Sequence, residues 1–208
     1  MTDDPRIDRM AGCACFGKGM LAIGAVVLAA LCLLNLNQCF FMTDRGSVHL
    51  QVRTIVKDLR IALMSYEIEY NHFPIPEASS TGSDISFRSR GPMLPALAGE
   101  EVGGLNPRKI KFIDFLLAEA HKHGLWQDGD EYVLSDLWGE SYYIVLDTNG
   151  DNKIANPEFG ADQSHSDYAK RCQANPPPQT LSLEVLIYSS GKDRDPKTWN
   201  DNICSWRN

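Results

Sequence analysis

The sequence predicts an α+β protein in which one long N-terminal helix packs on a small antiparallel sheet. Three observations support this class: an uncharged apolar run, helical spacing of apolar side chains over residues 47–70, and strand-like segments between acidic turns after residue 135. The chain has 208 residues and 43% hydrophobic content, enough for one membrane-spanning segment and one domain of about 150 residues. Two large domains would not fit.

The apolar run predicts a membrane anchor over residues 19–42, preceded by a leader over residues 1–18. No charged side chain lies between Gly19 and Leu34, and continuation to Met42 gives about 23 residues, long enough to cross ~30 Å of hydrocarbon. A cleaved secretory signal is the alternative, but no small-x-small cleavage site follows the run. Charges of both signs flank the run, so they do not establish its orientation.

An amphipathic helix is predicted to continue from the anchor over residues 43–76. It ends at the sequence Phe73-Pro74-Ile75-Pro76, because each proline disfavours helix for itself and for the preceding residue. One stripe of this helix is expected to face a core. Its members are Val48, Val52, Ile55, Val56, Leu59, Leu63 and Ile68.

The segment 77–134 is predicted to hold a variable loop and one short helix. Residues 77–107 are rich in Ser, Gly and Pro and are expected to be mostly irregular. Asn106 and Pro107 then provide a helix N-cap and a first-turn proline, with Gly124 as the stop signal. His121 and His123 are expected to be exposed at the end of this helix.

An antiparallel sheet is predicted over residues 135–208. Its strand candidates are Tyr142–Leu146, which is bounded by turn residues, and Leu181–Tyr188, which begins with alternating apolar and polar side chains. Three consecutive prolines, 176–178, separate them.

The charge distribution excludes a nucleic-acid binder and favours divalent cations. Residues 1–127 carry 13 acidic and 13 basic side chains and residues 128–208 carry 14 and 7, so the whole net charge of −7 (7 − 14) lies in the last part. Nucleic-acid binding needs clustered lysines and arginines.

Residues 147–158 have the spacing of a calcium-binding loop of the EF-hand type. Oxygen donors occupy positions 1, 3, 5 and 12, a backbone carbonyl is expected to bind from position 7, and calcium prefers six to eight such oxygens. Asn152 stands at position 6, where the turn requires the left-handed conformation that Asn tolerates. Strand-like and Pro-containing flanks argue against a true EF-hand, and an acidic turn without metal is the alternative. The predicted ligands are Asp147, Asn149, Asp151, Lys153 and Glu158.

Two of the six cysteines, Cys172 and Cys204, lie in the predicted globular part. In an oxidising compartment they are candidates for one disulfide that closes a loop of about 30 residues, which would stabilise the fold by roughly 3 kcal/mol. Two free thiols are the alternative. No recognised catalytic motif occurs in the sequence, so an enzyme is not expected.

Three segments resemble the major, G-type pseudopilins of bacterial type II secretion and the related type IV pilins. Residues 59–74 are similar to the end of the family's long helix, with its Tyr-rich turn and aromatic-Pro pair. Residues 135–143 resemble its D-P-W-G-x-P-Y strand entry, with Leu137 and Ser141 at the usual proline positions. Residues 188–193 and 201–206 are similar to its S-x-G-x-D and D-D-I-x-x-W elements.

The resemblance implies a pilin-like fold, a bacterial inner-membrane location with the C-terminal domain in the periplasm, and calcium in the closing loop. The resemblance implies that Asp193 and Asp201 also bind the metal, with Asn202 at the position of the family's second Asp. It also implies cleavage by a prepilin peptidase between Gly19 and Met20. Gly24, however, stands where members have the Glu that helps subunits register in the filament.

The expected function is therefore that of a structural subunit, which packs against copies of itself or sister pseudopilins and presents a calcium-stabilised periplasmic domain. A permanently anchored calcium-binding module that keeps the fold without polymerising is the alternative. The missing Glu at position 24 favours this alternative, whereas the three-segment resemblance favours the subunit.

Overall fold

A four-stranded antiparallel sheet and one long helix dominate the computed structural model, which describes residues 47–75 and 82–207. Apart from the first residue of the long helix, the described elements belong to one compact unit that begins at Val48. In order, they are α1 (47–70), β1 (Ile85–Arg88), α2 (Met93–Leu97), β2 (Gly124–Asp128), β3 (Glu131–Ser135), β4 (Tyr143–Leu146), β5 (Ile154–Ala155), α3 (Ser166–Ala174), β6 (Thr180–Leu181), β7 (Val185–Ser189) and β8 (Ile203–Cys204).

The main sheet has the strand order β1-β4-β7-β8, with every neighbouring pair antiparallel. Two smaller pairings accompany it: the hairpin β2-β3 and the short ladder β5-β6. The α+β class is therefore confirmed. No helix among the described residues is long and apolar enough to span a bilayer, and the predicted anchor 19–42, with Gly19 and Met20, lies outside those residues.

Helix α1 packs one stripe into the main core, as its spacing predicts. Val52, Val56, Leu59 and Leu63 are fully buried and share a cluster with side chains of β4 and β7. The prediction was wrong for Ile68, which is 79% exposed. Since each residue turns a helix by about 100°, Ile68 points to the opposite side of α1 from this stripe.

The predicted helix over residues 106–124 was wrong. This segment contains turns and isolated bridges, and Asn106 has a left-handed backbone with φ of 50°. The Asn106 side chain does not cap a helix, because it is buried and bonded to residues both before and after it in the chain. His121 is exposed as expected, but it lies in a turn and stacks on Trp126 with ring centroids 4.1 Å apart.

The stretch before residue 106 is more ordered than predicted, and the two strands predicted after it have different outcomes. The stretch 77–107 contains β1, which is an edge strand of the main sheet, and α2, whose five residues are all buried. The strand predicted at Tyr142–Leu146 is confirmed as β4. The strand predicted at 181–188 is divided, because Leu181 ends β6 and β7 begins only at Val185.

Candidate metal centre

The loop from Asp147 to Lys153 is organised by carboxylate and amide oxygens that accept backbone hydrogen bonds. Asp147 accepts from the N–H of Gly150 at 2.7 Å and of Asn152 at 2.6 Å, one on each carboxylate oxygen. Asn152 is left-handed with φ of 55°, as position 6 of such a loop requires. The turn therefore curls around the Asp147 carboxylate.

Two further predicted ligands follow the same arrangement. The Asn149 Oδ1 accepts from the Asp151 N–H at 2.8 Å, and the Asp151 Oδ1 accepts from the Lys153 N–H at 2.9 Å. A carbonyl or carboxylate oxygen has two lone pairs, so one hydrogen bond leaves capacity on each oxygen for a cation. The three side chains therefore fit the hard-oxygen donor set that calcium needs.

Asp84 is a candidate ligand that the sequence analysis missed. Burial raises the pKa of its carboxyl above the usual range, and the negative charges of Asp147 and Asp151 raise it further. Its Oδ1 is buried and has no hydrogen-bond donor. Asp84 lies just before β1, and β1 pairs with β4, the strand that leads into the loop. This pairing places it beside residues 63 and 67 positions later (147 − 84 and 151 − 84), a separation no local motif reveals.

Glu158, the predicted twelfth-position ligand, has a different partner in the structure. Its carboxylate is nearly buried, with the side chain 5% exposed, and it pairs with the Arg207 guanidinium at 2.8 Å. Arg207 also lies over the Trp199 ring and donates to the Cys204 sulfur at 3.1 Å. Glu158 therefore ties the end of the loop to the C-terminal segment.

The closing loop, residues 190–202, is stabilised by hydrogen bonds to Asp201. Its Oδ2 accepts from the N–H groups of Lys192 at 2.8 Å and Asp193 at 3.2 Å. Gly191, with φ of 71°, permits this approach, because a β-carbon there would lie 2.7 Å from the Asp201 carboxylate carbon. Asp193 bonds within its own turn, accepting from the Asp195 N–H at 2.9 Å and from the Thr198 hydroxyl.

Three side-chain oxygens of the closing loop are buried without a partner. They belong to Ser190, Asp201 and Asn202: the hydroxyl of the first and the Oδ1 of the other two. A buried acceptor with no donor costs about 1–3 kcal/mol, and more when it is charged. Asp201 and Asn202 therefore fit a cation. In residues 47–75 and 82–207, however, no three His, Cys, Asp or Glu side chains are already gathered as a metal-binding group.

A second, aromatic core cluster holds the two cysteines proposed to pair. Tyr168, Cys172, Tyr188, Trp199 and Cys204 are all buried in it. Both cysteines are free thiols in the structure, so the disulfide stays a prediction for oxidising conditions. Burial raises the pKa of the Tyr168 hydroxyl, and hydrogen bonding to Cys172 raises it further.

Asp136 joins the segment 135–143 to the segment 188–193. Its buried carboxylate accepts from the Ser189 hydroxyl at 2.5 Å and from the N–H groups of Trp138 and Glu140. Burial raises the pKa of Asp136, although these hydrogen bonds act in the opposite direction. Two of the three segments that carry the pseudopilin resemblance therefore meet at one buried carboxyl.

Comparison with known proteins found no matching family model, no matching curated protein and no matching solved structure.

Proposed function

We propose that this chain is a structural, non-enzymatic subunit of the pseudopilin type, part of a type II secretion or type IV pilus-like assembly in a bacterial inner membrane. Its apolar N-terminal run would anchor it, α1 would pack against copies of itself or sister subunits, and calcium would stabilise the periplasmic domain. The observation that carries this proposal is a second apolar stripe on α1.

The second stripe lies opposite the buried one. Leu50, Ile61 and Ile68 are 63%, 61% and 79% exposed, and they are large apolar side chains. Together with Lys57 they follow one another at intervals of seven, four and seven residues (50, 57, 61, 68), which places them on one face of the helix. A solvated helix needs no second apolar face, so this stripe favours association with another helix.

Assembly through this face predicts a specific mutational result. Ile61→Ser should leave folding stability within about 0.5 kcal/mol, because the side chain is exposed, yet weaken association more than about tenfold by removing an isoleucine from the interface. The measurement is chemical cross-linking of the full chain in its native membrane. Leu117→Ser is the matched control, since Leu117 is 82% exposed but lies outside α1.

Equal loss of cross-linked species in both variants would contradict assembly through the α1 stripe. No cross-linked species even with wild-type chain would favour the alternative function, a permanently anchored module with the same fold. Gly24, in place of the family's Glu, supports that alternative. The intact mass of the chain from its membrane separates them as well, because a processed subunit would begin at Met20.

Calcium is proposed to bind the loop from Asp147 to Lys153, the first loop, with Asp84 as an added ligand. The ligands within the loop would be Asp147, Asn149, Asp151 and the Lys153 carbonyl. Glu158 could join only by leaving Arg207. The closing loop would offer Asp193, Asp201 and Asn202. The buried, unpartnered oxygens of Asp84 and Asp201 support the proposal most directly, since a cation would satisfy both.

Calcium at 100 times its dissociation constant should raise the free energy of unfolding by about 2.7 kcal/mol. The most informative variant is Asp84→Asn, because the negative charge of Asp84 is repelled by those of two other carboxylates. We expect it to melt at a higher temperature than wild type in calcium-free buffer and to gain less from added calcium. The measurement is thermal unfolding of the full chain in neutral detergent.

Asp167→Asn is the control for this experiment, since the Asp167 side chain is 95% exposed on α3, outside both loops. Asp201→Asn tests the closing loop separately. A wild-type chain that melts at one temperature with and without calcium would rule out the metal role, while leaving the assembly proposal standing.

A further inference from the structure

An unusual group of basic side chains lines a small cavity at the junction of α1, α3 and the C-terminal segment. The cavity has a volume of about 150 Å³, and its lining includes Arg53 of α1, Arg171 of α3 and Arg207, together with His49. Asp201 is the one acidic residue of that lining. A protein of net charge −7 thus brings three arginines from distant parts of its sequence to the lining of one cavity.

Among the described residues, the Asp201 carboxylate forms no ion pair with Arg53, Arg171 or Arg207, whose ion-pair partner is Glu158. Asp201 is bonded through Oδ2 to the backbone of Lys192 and Asp193, and it packs directly against Gly191. The 191–193 loop therefore holds Oδ2, whereas Oδ1 is buried without a hydrogen-bond partner and Asp201 remains in the cavity lining. Glu158 forms an ion pair with Arg207, with an N–O distance of 2.8 Å. Within residues 47–75 and 82–207, neither Arg53 nor Arg171 forms an ion pair with a carboxylate.

Arg53 and Arg171 each keep donors for a ligand. Arg171 uses one Nη2 donor on the Trp199 carbonyl at 2.8 Å and lies over the Tyr168 ring, which holds its guanidinium in place. Arg53 is exposed, and its side chain has no hydrogen bond or ion pair to another of the described residues. A guanidinium carries five N–H donors in a planar fork, so most of these donors are unused.

We propose that this cavity binds a phosphate group. Planar guanidinium forks match the oxygens of a phosphate in pairs, and several such groups from different elements suit a tetrahedral anion. A volume of about 150 Å³ is below the ~300–1,000 Å³ of sites for drug-sized ligands, so it suits a small ion or a head group. The proposal needs neither calcium nor assembly.

Two sources of phosphate are compatible with this chemistry: a free phosphate ion and the head group of an anionic lipid. The lipid source depends on the proposed membrane anchor. His49 follows the end of the apolar run at Met42 by seven residues (49 − 42), which span at most about 25 Å of extended chain. The cavity would then lie within reach of lipid head groups.

The test uses the full chain in neutral detergent, in calcium-free buffer at constant ionic strength. Inorganic phosphate should raise the melting temperature, followed by tryptophan fluorescence, because a ligand selective for the folded state stabilises it. Arg53→Gln and Arg171→Gln should each weaken phosphate binding about tenfold. Lys57→Gln and Lys170→Gln are matched controls that remove one charge from the same helices, one turn or one residue away, and should leave binding unchanged.

Mixed micelles containing phosphatidylglycerol or phosphatidylcholine separate the two sources. Stabilisation by phosphatidylglycerol that is lost in Arg53→Gln supports the head group, and stabilisation by inorganic phosphate alone supports the free ion. Should Arg171→Gln fail to fold, Arg53→Gln decides, because the Arg53 side chain is exposed and has no hydrogen bond or ion pair within the described residues. The proposal is overturned if neither probe stabilises the wild type, or if the lysine variants lose as much binding as the arginine variants.

Discussion

Replacing Arg207 with methionine is expected to lower the free energy of unfolding by about 3 to 5 kcal/mol. The partner carboxylate of Glu158 is only 5% exposed, so the substitution leaves a buried charge with no counter-charge. Methionine keeps an apolar side chain of similar length, but it removes the guanidinium contact with the Trp199 ring and the hydrogen bond to the Cys204 sulfur together with the ion pair. Urea unfolding of the full chain in neutral detergent, without calcium, measures the change.

The double variant Arg207→Met/Glu158→Gln is the control for this prediction. Removing both charges takes away the desolvation cost together with the attraction, so most of the lost stability should return. If the double variant is as unstable as Arg207→Met, the bond to Glu158 is not what Arg207 contributes. Its packing against Trp199 would then be the main contribution.

The second large effect is expected at Asn106. Its buried side chain donates to the carbonyls of Ala96 at 2.7 Å and Ile110 at 2.8 Å, and it accepts from the Tyr70 hydroxyl at 2.6 Å and the Ile110 N–H at 2.9 Å. Asn106→Ala would leave these groups without partners and would place alanine in a left-handed backbone. We expect a loss of about 3 to 5 kcal/mol in the free energy of unfolding.

The Asn106→Asp variant separates the contribution of the donated hydrogen bonds from that of the accepted ones. Aspartate keeps the shape, the left-handed tolerance and the two accepted hydrogen bonds, but it cannot donate to Ala96 and Ile110. It should therefore be strongly destabilised near neutral pH and recover in part at acidic pH, where the protonated carboxyl regains one donor. An Asn106→Asp variant as stable as wild type near neutral pH would show that the donated bonds are not decisive.

Asn106 also shows why part of the fold escaped sequence analysis. The pair Asn106-Pro107 is a normal helix start, and the apolar residues after it have helical spacing. In the folded chain the Asn side chain bonds instead to α2 on one side and to the tyrosine-rich end of α1 on the other. Hydrogen bonds between elements distant in sequence overrode the local preference, and local patterns carry no information about them.

The candidate metal centre was also only partly predictable from the sequence. The first loop was predictable, because its donor residues lie within a few positions and the left-handed Asn152 satisfies a local rule. The position of Asp84 beside this loop and the pairing of Arg207 with Glu158 were not predictable, because both depend on which distant segments of the chain become neighbours. The phosphate cavity has no local pattern at all, because Arg53, Arg171 and Arg207 meet only after α1, α3 and the C-terminal segment have packed.

Local sequence patterns were enough to predict the α+β class, the buried stripe of α1, strand β4 and the curled turn that begins at Asp147. Each of these follows from periodicity or backbone preference over a few neighbouring residues. The outward-facing side chains of Ile61 and Ile68, the buried hydrogen bonds of Asn106 and the bond from Ser189 to Asp136 were not predictable in this way. These features depend on burial and on contacts between residues far apart in sequence, which exist only once the sheet and α1 have come together.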